Sequence, residues 1–470
     1  MIRIRNLEKL IENGESWHIR QSRSLALKCL ERAINAAEPK QLVEAKVKVE
    51  NNQLRVEDYL FDLGKFKHVY VVGGGKAGGK MAQAMEEILG GHMTAGVVNV
   101  PYSAEQKTRV IELNEASHPI PDEAGVKGTR RIVALAEQAE QDDLVICLIS
   151  GGGSSLMPLP REGISLKDKQ ALTNDLLKSG AEITEINTVR KHLSSFKGGW
   201  LAKKAYPATV LNLVLSDVMG DPLDSIASGP TVPDPSTFSD ARNILRKYGL
   251  WLNAPVSIRK IISEGVKGFL EETPKPNDLI FENVHNLIIG NNRTSSQAAF
   301  DCLRSKGLSV LLLSKMLEGE AKEVGKVLSN LANEVSKSSI SKSLGVVAGG
   351  ETTVTVVGEG VGGRNQELML SAAMKLEDSA EWVFASLSTD GVDGPTDAAG
   401  AIIDDATLKR ARQLGLDPEK YLLNNDSYSF FLKLGDLIFT NATGTNVNDV
   451  SVMVRLKDHL NSEANLALEK

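Results

Sequence analysis

The chain has 470 residues, 42% of them hydrophobic and 24% charged, which is the composition of a globular protein with two or three domains. A formal net charge of −6 argues against a nucleic-acid partner held by general electrostatics. Three scattered cysteines without a CxxC pair argue against a disulfide framework, and no apolar run reaches the roughly 18 residues of a membrane span. We therefore expect a cytoplasmic protein with neither a nucleic-acid nor a membrane partner.

The predicted elements begin with two helices, the second over about residues 20–37, where apolar side chains recur at helical spacing up to Pro39. A hairpin about Asn51 and Asn52 follows. Beyond it, short β-branched strands alternate with glycine loops and helices. This pattern predicts an α/β fold whose parallel sheet has helices on both faces.

A domain boundary is predicted near residue 280. The stretch 271–284, with its prolines and charges, has the composition of a linker. After it, the strand NLIIGNN starts a second α/β pattern. We therefore predict an N-terminal domain over residues 1–280, a smaller C-terminal α/β domain over residues 281–470 and a cleft between them.

Two known phosphate loops can be aligned with residues 71–85, VVGGGKAGGKMAQAM. The glycines fit the dinucleotide fingerprint G-x-G-x-x-G, but no acidic residue ends the next strand, AGVVNVP, to hold a ribose. Residues 74–80 fit the P-loop start G-x-x-x-x-G-K, but Met81 stands where a serine or threonine would hold Mg²⁺. Neither motif is complete.

What remains is a strand, a flexible glycine turn and a helix start, which together can bind an anion. Gly74 and Gly75 offer backbone amides there, and Lys76 lies inside the turn. The simpler interpretation is a tight turn with a solvated lysine. Consecutive glycines cost roughly 0.5–1 kcal/mol each in conformational entropy, which favours the functional interpretation.

A second glycine loop follows another buried strand, in LISGGGSSLM. Ligands of open α/β sheets bind beyond the carboxyl ends of the strands, so two such loops favour an anionic ligand. A serine nucleophile is the alternative, but the loop fits G-x-S-x-G poorly and no histidine has an evident partner role. The predicted binding residues of this loop are Ser150, Gly151, Gly152, Ser154 and Ser155.

Basic and acidic residues follow in the first half of the chain. Arg190, Lys191 and Lys197 suit a carboxylate or a phosphate, although a solvated helix face is an equally good interpretation. The acid-rich loop SDVMGDPLD suits Mg²⁺, with Asp217 as the candidate ligand, and turn formation competes with that interpretation.

The second half adds Glu351 after a strand and Arg364 at a helix that opens with glycines. An arginine at this place is suited to complement charge on a transferring phosphoryl group. Asp390 belongs to a second acidic cluster and is the other candidate metal ligand. The sequence thus offers glycine loops, hydroxyls, one lysine, one arginine and carboxylates, and it lacks a plausible cysteine or histidine nucleophile. This set of groups suits phosphoryl transfer.

Eight motifs occur in an order that resembles the type-2 glycerate kinases, whose second domain is called MOFRL. The resemblance spans roughly residues 20–455, and it rests on GGGKAGGKMAQAM, ISGGGSSL, NTVRKHLSSFKGG, LVLSDVMGDPLDSIASGPT, GGETTVTV, GGRNQE, STDGVDGPTDAAGA and TGTNVNDV. One loop departs from the usual family pattern TGPTGTNVND, since Asn441 and Ala442 replace glycine and proline.

The resemblance implies a Rossmann-like N-terminal domain and ATP-dependent phosphorylation of D-glycerate, usually to 2-phosphoglycerate, with Mg²⁺ or a similar divalent ion. The family's lysine falls on Lys76 and its arginine on Arg364, which are then the catalytic candidates. Asn365 lies in the same GGRNQE motif and is a candidate binding residue, as is Glu351 in GGETTVTV.

Both lines of reasoning give one hypothetical mechanism. Arg190 holds the carboxylate of glycerate, Lys76 and Arg364 bracket the γ-phosphoryl group, and Asp217 or Asp390 holds the metal. The alternatives are a hydroxypyruvate reductase and a non-catalytic nucleotide-binding sensor. A homodimer is a further expectation.

Overall fold

The computed structural model describes residues 1–102, 104–338, 340–378 and 380–457. The chain divides into two compact units. We name Pro39–Gly290 the central unit, and Met1–Glu38 together with Asn291–Lys470 the split unit. Within the described ranges, none of the helices has the length and apolar character needed to cross a membrane.

The helices, in chain order, are α1 (Leu7–Glu12), α2 (Trp17–Ala36), α3 (Pro39–Lys46), α4 (Gly78–Leu89), α5 (Glu123–Gln138), α6 (Gly153–Leu156), α7 (Leu166–Lys178), α8 (Ile183–His192), α9 (Trp200–Ala205), α10 (Phe238–Lys247), α11 (Val256–Val266), α12 (Asn292–Ser305), α13 (Ala321–Lys337), α14 (Arg364–Ala373), α15 (Thr407–Gln413), α16 (Pro418–Leu423) and α17 (Ser427–Leu434).

The strands are β1 (Val47–Glu50), β2 (Gln53–Val56), β3 (Tyr59–Asp62), β4 (His68–Gly74), β5 (Ala95–Pro101), β6 (Ile111–Ala116), β7 (Asp143–Ser150), β8 (Thr209–Leu215), β9 (Val284–Gly290), β10 (Ser309–Leu317), β11 (Leu344–Gly350), β12 (Val383–Ser388), β13 (Gly400–Asp404), β14 (Leu437–Ile438) and β15 (Asp449–Arg455).

The central unit is built on a six-stranded sheet in the order β6-β5-β4-β7-β8-β9. All of its strand pairs are parallel, which confirms the predicted sheet. Counted within the sheet, the order is 3-2-1-4-5-6, that of a Rossmann fold. Helices α5 and α9 share a core with Val72 and Val145 on one face, and α4 packs against Val98 on the other. The order reverses between β4 and β7, and ligands of such sheets bind at this switch point.

The predicted hairpin is also confirmed. Strands β1 and β2 pair antiparallel, and Asn51 and Asn52 connect them with φ values of 51° and 62°. Asparagine tolerates this left-handed conformation better than other side chains, which explains why two asparagines stand at this turn.

The two units differ from the predicted domains at both ends of the central unit. The strand NLIIGNN, expected to open the second domain, contributes β9, which pairs in parallel with β8 of the central unit. The predicted linker therefore lies inside the central unit, because the apolar side chains of β9 complete its sheet. The division falls after Gly290, and residues 1–38 belong to the split unit.

The split unit has a mixed six-stranded sheet in the order β10-β11-β15-β12-β13-β14. Only β10 and β11 pair in parallel, so this sheet is more antiparallel than the strand–helix alternation predicted. Helices α2 and α12 cover one face through Leu27, Leu30 and Leu303. Helices α13 and α14 cover the other face.

Arg23 shows why the first helices belong to the split unit. Its guanidinium is fully buried, and Nε donates to Asp404 Oδ2 at 2.7 Å while Nη1 donates to Asp436 Oδ1 at 3.0 Å. The same Nη1 donates to the carbonyl of Leu10 in α1 at 2.6 Å. Both carboxylates come from residues beyond 400, so α1 and α2 are anchored to the C-terminal part of the chain.

Candidate functional site

The two predicted glycine loops meet at the switch point of the central sheet. The backbone N–H of Lys76 donates to the carbonyl of Gly151 at 2.8 Å, and the N–H of Ala77 donates to Ser150 Oγ at 3.0 Å. Gly75 has a φ of +146°, and a β-carbon there would lie 2.1 Å from Ser150 Oγ. The close approach of the loops therefore requires glycine at position 75.

Gly74 ends β4 under similar crowding, because a β-carbon there would lie 2.9 Å from the carbonyl oxygen of Asn99. Asn99 itself lies two residues before the end of the neighbouring strand β5, the region where a dinucleotide-binding protein would carry its ribose-binding acid. Its side chain is fully buried and donates to the carbonyl of Leu156 at 2.6 Å and to that of Gly125 at 3.1 Å. The side-chain amide of Asn99 thus fixes the turn after the second loop.

Side chains from three segments surround the second loop. A β-carbon at Gly151 would lie 1.9 Å from Asp217 Oδ2, so the Asp217 carboxylate lies directly against the loop. Gly152 has a φ of +79°, and a β-carbon there would lie 3.1 Å from Cγ of Lys76 and 2.9 Å from Cδ2 of His118. The structure therefore brings Lys76 and Asp217, two of the candidate residues, to the same loop.

His118 is a functional candidate that the sequence reasoning did not find. It lies in the loop after β6, whose carboxyl end is at the same edge of the sheet as those of β4 and β7. Burial lowers the pKa of its imidazole, and the charge of Lys76 lowers it further. A neutral imidazole beside a lysine can accept a proton. Ligands of open α/β sheets bind beyond the carboxyl ends of the strands, and His118 would have been identified if this rule had been applied to β6 as well as to the glycine loops.

The three serines of the second loop have different environments. Ser154 and Ser228 share a hydrogen bond of 2.8 Å between their hydroxyls, and Ser154 also accepts a 3.0 Å bond from Nζ of Lys197 at its carbonyl oxygen. Ser155 is partly exposed at the start of the short helix α6. Ser150, in contrast, is buried, and its hydroxyl is used to bind the first loop.

A basic cluster of Lys169, Arg190 and Lys197 lies next to this loop in the central unit. Lys169 is 7% exposed and Lys197 is 1% exposed. Burial lowers the pKa of Lys197 well below its ordinary value, and the charges of Lys169 and Arg190 lower it further. The sequence predicted Arg190 and Lys197 but not Lys169. The sequence did contain a sign that Lys169 is buried, because this lysine lies in the apolar stripe of α7, between Leu166 and Leu172.

Lys191 has a structural environment instead of a binding one. It is buried, and its Nζ lies 3.4 Å from an Asp224 carboxylate oxygen and 3.6 Å from one of Asp234. Its charge is therefore compensated within the central unit. These partners favour a structural role for Lys191 over the anion-binding role for which it was a candidate.

In the split unit, Arg364 occupies the first position of α14 between two carboxylates. Nε and Nη2 donate to the two oxygens of Asp449 at 2.6 and 2.9 Å, and Nη1 donates to Glu351 at 2.6 Å. Glu351 follows β11 and Asp449 begins β15, which are paired strands, and Asn448 donates to the second oxygen of Glu351. Burial opposes the charge of Arg364, but the bonds to Asp449 raise the pKa of its guanidinium. Arg364 and Glu351 are thus brought together.

Two other predicted residues of the split unit have their polar groups engaged in local structure. Asn365 is buried; its amide donates to Asp393 at 3.1 Å, and its carbonyl accepts from Ser386 at 2.5 Å. Asn365 therefore fixes the start of α14, and its role in binding stays a prediction. Asp390 Oδ1 accepts from the hydroxyl of Ser388 at 2.9 Å and from the N–H of Val392 at 3.0 Å, as in a turn.

The candidate metal ligands Asp217 and Asp390 belong to different units. Among the described residues, no group of three or more histidine, cysteine, aspartate or glutamate side chains is arranged to hold a metal ion. A magnesium ion that accompanies a nucleotide needs only one or two protein carboxylates, because phosphate and water oxygens supply the remaining ligands. Asp217, directly beside the glycine loop, fits that requirement better than Asp390.

Comparison with known proteins places the chain among related sequences. Residues 25–263 match the family described as "Domain of unknown function (DUF4147)", and residues 344–449 match the MOFRL family. A Glycerate 2-kinase of Pyrococcus horikoshii is 43% identical over 436 residues, which are 92% of this chain and 97% of that protein. A putative hydroxypyruvate reductase of Agrobacterium vitis is 39% identical, covering 97% of this chain and 100% of that protein.

The fold is shared with a solved structure. The crystal structure of a glycerate kinase from Thermotoga maritima is similar with a TM-score of 0.82 and 42% identity, over 92% of this chain and 99% of that one. Both the family matches and this similarity extend over most of the chain. The chain therefore belongs to the type-2 glycerate kinase family, with a DUF4147 domain followed by a MOFRL domain, and it is an enzyme of the kinase class.

Proposed function

We propose that the protein transfers the γ-phosphoryl group of ATP to the 2-hydroxyl of D-glycerate and forms 2-phosphoglycerate. The observation that carries this proposal is the position of Lys76, in a glycine loop at the switch point of a Rossmann-order sheet and beside Asp217 and His118. The names of the relatives from Pyrococcus horikoshii and Thermotoga maritima support the substrate. Phosphoryl transfer depends mainly on positioning and charge neutralisation, which these groups supply.

In the central unit, we assign the phosphates to Lys76 and to the backbone amides of the first loop. His118 accepts the proton that leaves the 2-hydroxyl, since its neutral ring lies beside Lys76. Asp217 is the residue that would hold Mg²⁺. When bound, the ion neutralises charge on the phosphate oxygens.

In the split unit, we assign Arg364 to the charge that develops on the transferring phosphoryl group. Its guanidinium is fixed by Asp449 and Glu351, so its direction is set before a ligand arrives.

The test is an assay of ADP release with D-glycerate and ATP, in which the product is then offered to enolase. We expect ADP release that depends on D-glycerate and on a divalent ion, followed by formation of phosphoenolpyruvate. ADP release without an enolase substrate would mean phosphorylation of the 3-hydroxyl. Absence of glycerate-dependent ADP release would contradict the proposal as a whole.

Lys76→Ala tests the assignment of the loop lysine, and Lys80→Ala is its matched control on the adjoining helix. We expect Lys76→Ala to lower kcat by at least about 10²-fold with unchanged thermal unfolding, because a positioned charge on the phosphates is lost. Lys80, which only the P-loop alignment selected, should tolerate alanine within about twofold in kcat. Equal activity of the two variants would contradict the role of Lys76.

The reductase named in Agrobacterium vitis gives the second candidate activity. A nicotinamide dinucleotide would need an acid at the end of β5, where the last three residues of this chain's strand are Asn99, Val100 and Pro101. Consumption of NADH or NADPH with hydroxypyruvate would favour it over the kinase. The non-catalytic sensor would instead show calorimetric binding of ATP without ADP release. The homodimer and the cytoplasmic location stay predictions, and light scattering of the purified protein checks the first.

A further inference from the structure

The basic cluster contains a buried ammonium group without a partner. The Nζ atom of Lys169 is shielded from solvent and has no hydrogen-bond acceptor among the described residues. Nζ of Lys197, almost equally buried, has the carbonyl of Ser154 as its acceptor. Neither lysine, nor Arg190, forms an ion pair with a described residue. Three basic side chains thus lie together without a compensating carboxylate among the described residues.

Other buried cations of the chain are compensated. Arg23 is fully buried between Asp404 and Asp436. Lys191 lies directly after Arg190 and has Asp224 and Asp234 within 3.6 Å. Because an unpaired buried charge is costly, proteins pair such groups or let them pair with a ligand. The difference between Lys191 and Lys169 therefore indicates that the basic cluster is completed by an anion from outside the chain.

The basic cluster is connected to the candidate active site through hydrogen bonds. Lys197 donates to Ser154, whose hydroxyl bonds Ser228, and Ser228 in turn donates to Asn187 at 3.3 Å. Asn187 lies three residues before Arg190, on the same face of α8. Arg190 and Ser154 are partly exposed, whereas the two lysines are buried. Arg190 is therefore the member of the basic cluster that an anion can reach from solvent.

We propose that Lys169, Arg190 and Lys197 bind the carboxylate of the substrate, and that Lys169 is a specificity-determining residue for a 2-hydroxy acid. This inference rests on the proposed function and deepens it. The phosphates are already assigned to Lys76 and the first loop, so the carboxylate is the substrate charge that still lacks a partner. A neutral analogue such as glycerol would leave a buried ammonium unpaired, and sites of this kind reject such analogues strongly.

Lys169→Met tests the proposal, because methionine retains the apolar stem and removes the charge. A binding lysine that lacks a partner destabilises the ligand-free protein, so its replacement should raise Tm by about 2–6 °C. The same variant should weaken the binding of D-glycerate by about 10- to 100-fold in calorimetry, through loss of a charged hydrogen bond. KM for D-glycerate should rise accordingly, while the Kd for ADP stays within about twofold.

Lys191→Met is the matched control, a buried lysine with carboxylate partners. It should lower Tm, because Asp234 is left buried without its cation. If Lys169→Met lowers Tm in the same way and leaves the Kd for D-glycerate unchanged, Lys169 is structural and the proposal is wrong. Weaker binding of ADP with unchanged binding of D-glycerate would assign the basic cluster to a phosphate and would also overturn it.

The proposed function is checked separately in the same samples. A wild-type protein that binds D-glycerate in calorimetry but releases no ADP contradicts the kinase proposal and leaves the carboxylate site supported. Normal turnover by the wild type together with an unaffected Lys169→Met variant contradicts the carboxylate site and leaves the kinase proposal supported.

Discussion

Lys169 gives the stability of this protein a pH dependence whose sign can be derived. Burial lowers the pKa of its ammonium to about 7, and the charge of Arg190 contributes to the shift. A lysine of the unfolded chain titrates near about 10.4, so the unfolded chain binds more protons between these two values. The stability associated with neutral Lys169 is therefore complete above pH 10.4 and is lost as the pH falls through about 7.

The measurement compares urea unfolding of the wild type and of Lys169→Met at pH 7 and pH 9. At pH 7 the variant should be more stable by about 1–3 kcal/mol, because it lacks the buried charge. At pH 9 the difference should become smaller, since other titrating groups are common to both proteins. A difference that grows with pH would be incompatible with a depressed pKa at Lys169.

His118 should determine how kcat/KM falls at acidic pH, which is the acidic limb of its pH profile. Burial and then the charge of Lys76 lower the pKa of His118, so the ring stays neutral at pH 7 and is protonated only below its usual value of about 6.5. We expect His118→Gln to lower kcat about 10²- to 10⁴-fold, the range for loss of a general base, and to remove that limb. A variant that retains both the rate and the limb would show that the proton goes elsewhere.

At the scale of single residues, the sequence identified candidate site residues where they lie inside recognisable loops. Lys76 lies in a glycine-rich segment and Asp217 in an acid-rich one, each directly after a strand, so both stood out as candidates in the sequence. His118 follows β6, in which most positions are polar or half-buried, so the strand itself carried little apolar signal. Lys169 resembles any helical lysine until the packing of α7 shows that it is enclosed. Neither the position of His118 beside the glycine loop nor the burial of Lys169 can be predicted from the local sequence around it.

The glycine loops connect elements whose close approach leaves no room for a side chain. A β-carbon at Gly151 would overlap the Asp217 carboxylate at 1.9 Å. We expect Gly151→Ala to displace Asp217 and to lower kcat/KM at least about tenfold, because misplaced catalytic groups cost orders of magnitude. Steady-state kinetics checks this, with Gly91→Ala as the control, since a β-carbon at Gly91 has no atom within 4 Å. Equal kinetics of the two variants would contradict the crowding argument.

At the scale of elements, strand–loop–helix alternation was enough to predict the parallel sheet and its glycine loops. The alternation did not identify the partner of NLIIGNN, because an apolar strand fits the edge of either sheet equally well. The pairing of β9 with β8 shows that this strand belongs to the central unit. The antiparallel pairs of the split unit were missed for the same reason, since pairing direction depends on residues far apart in sequence.

At the scale of the whole molecule, the buried Arg23 joins the beginning of the chain to residues beyond 400. We expect Arg23→Met to lower the free energy of unfolding by about 3–5 kcal/mol, because Asp404 and Asp436 lose a partner inside the protein. Lys28→Ala, on the exposed side of the same helix, should change it by no more than about 0.5 kcal/mol. Urea unfolding checks both. Similar stabilities of the two variants would mean that the ion pairs contribute little.

The family could be predicted from the sequence because its eight motifs extend along the chain. The true extent of the two units could not be predicted from the sequence, because helix α2 has the same amphipathic pattern whichever sheet it covers. Its position became clear only from the apolar contacts of Leu27 and Leu30 with the sheet of the split unit, and from Arg23.

The central position of β15 in the sheet of the split unit also affects how the protein is made. A ribosome delivers α2 first, then the whole central unit, and only near the end the strand that lies between β11 and β12. The central unit has all its strands once residue 290 has emerged and can fold during synthesis. The apolar face of α2 has to wait for the last strand, so nascent chains that stop early expose it and become substrates for chaperones and proteases.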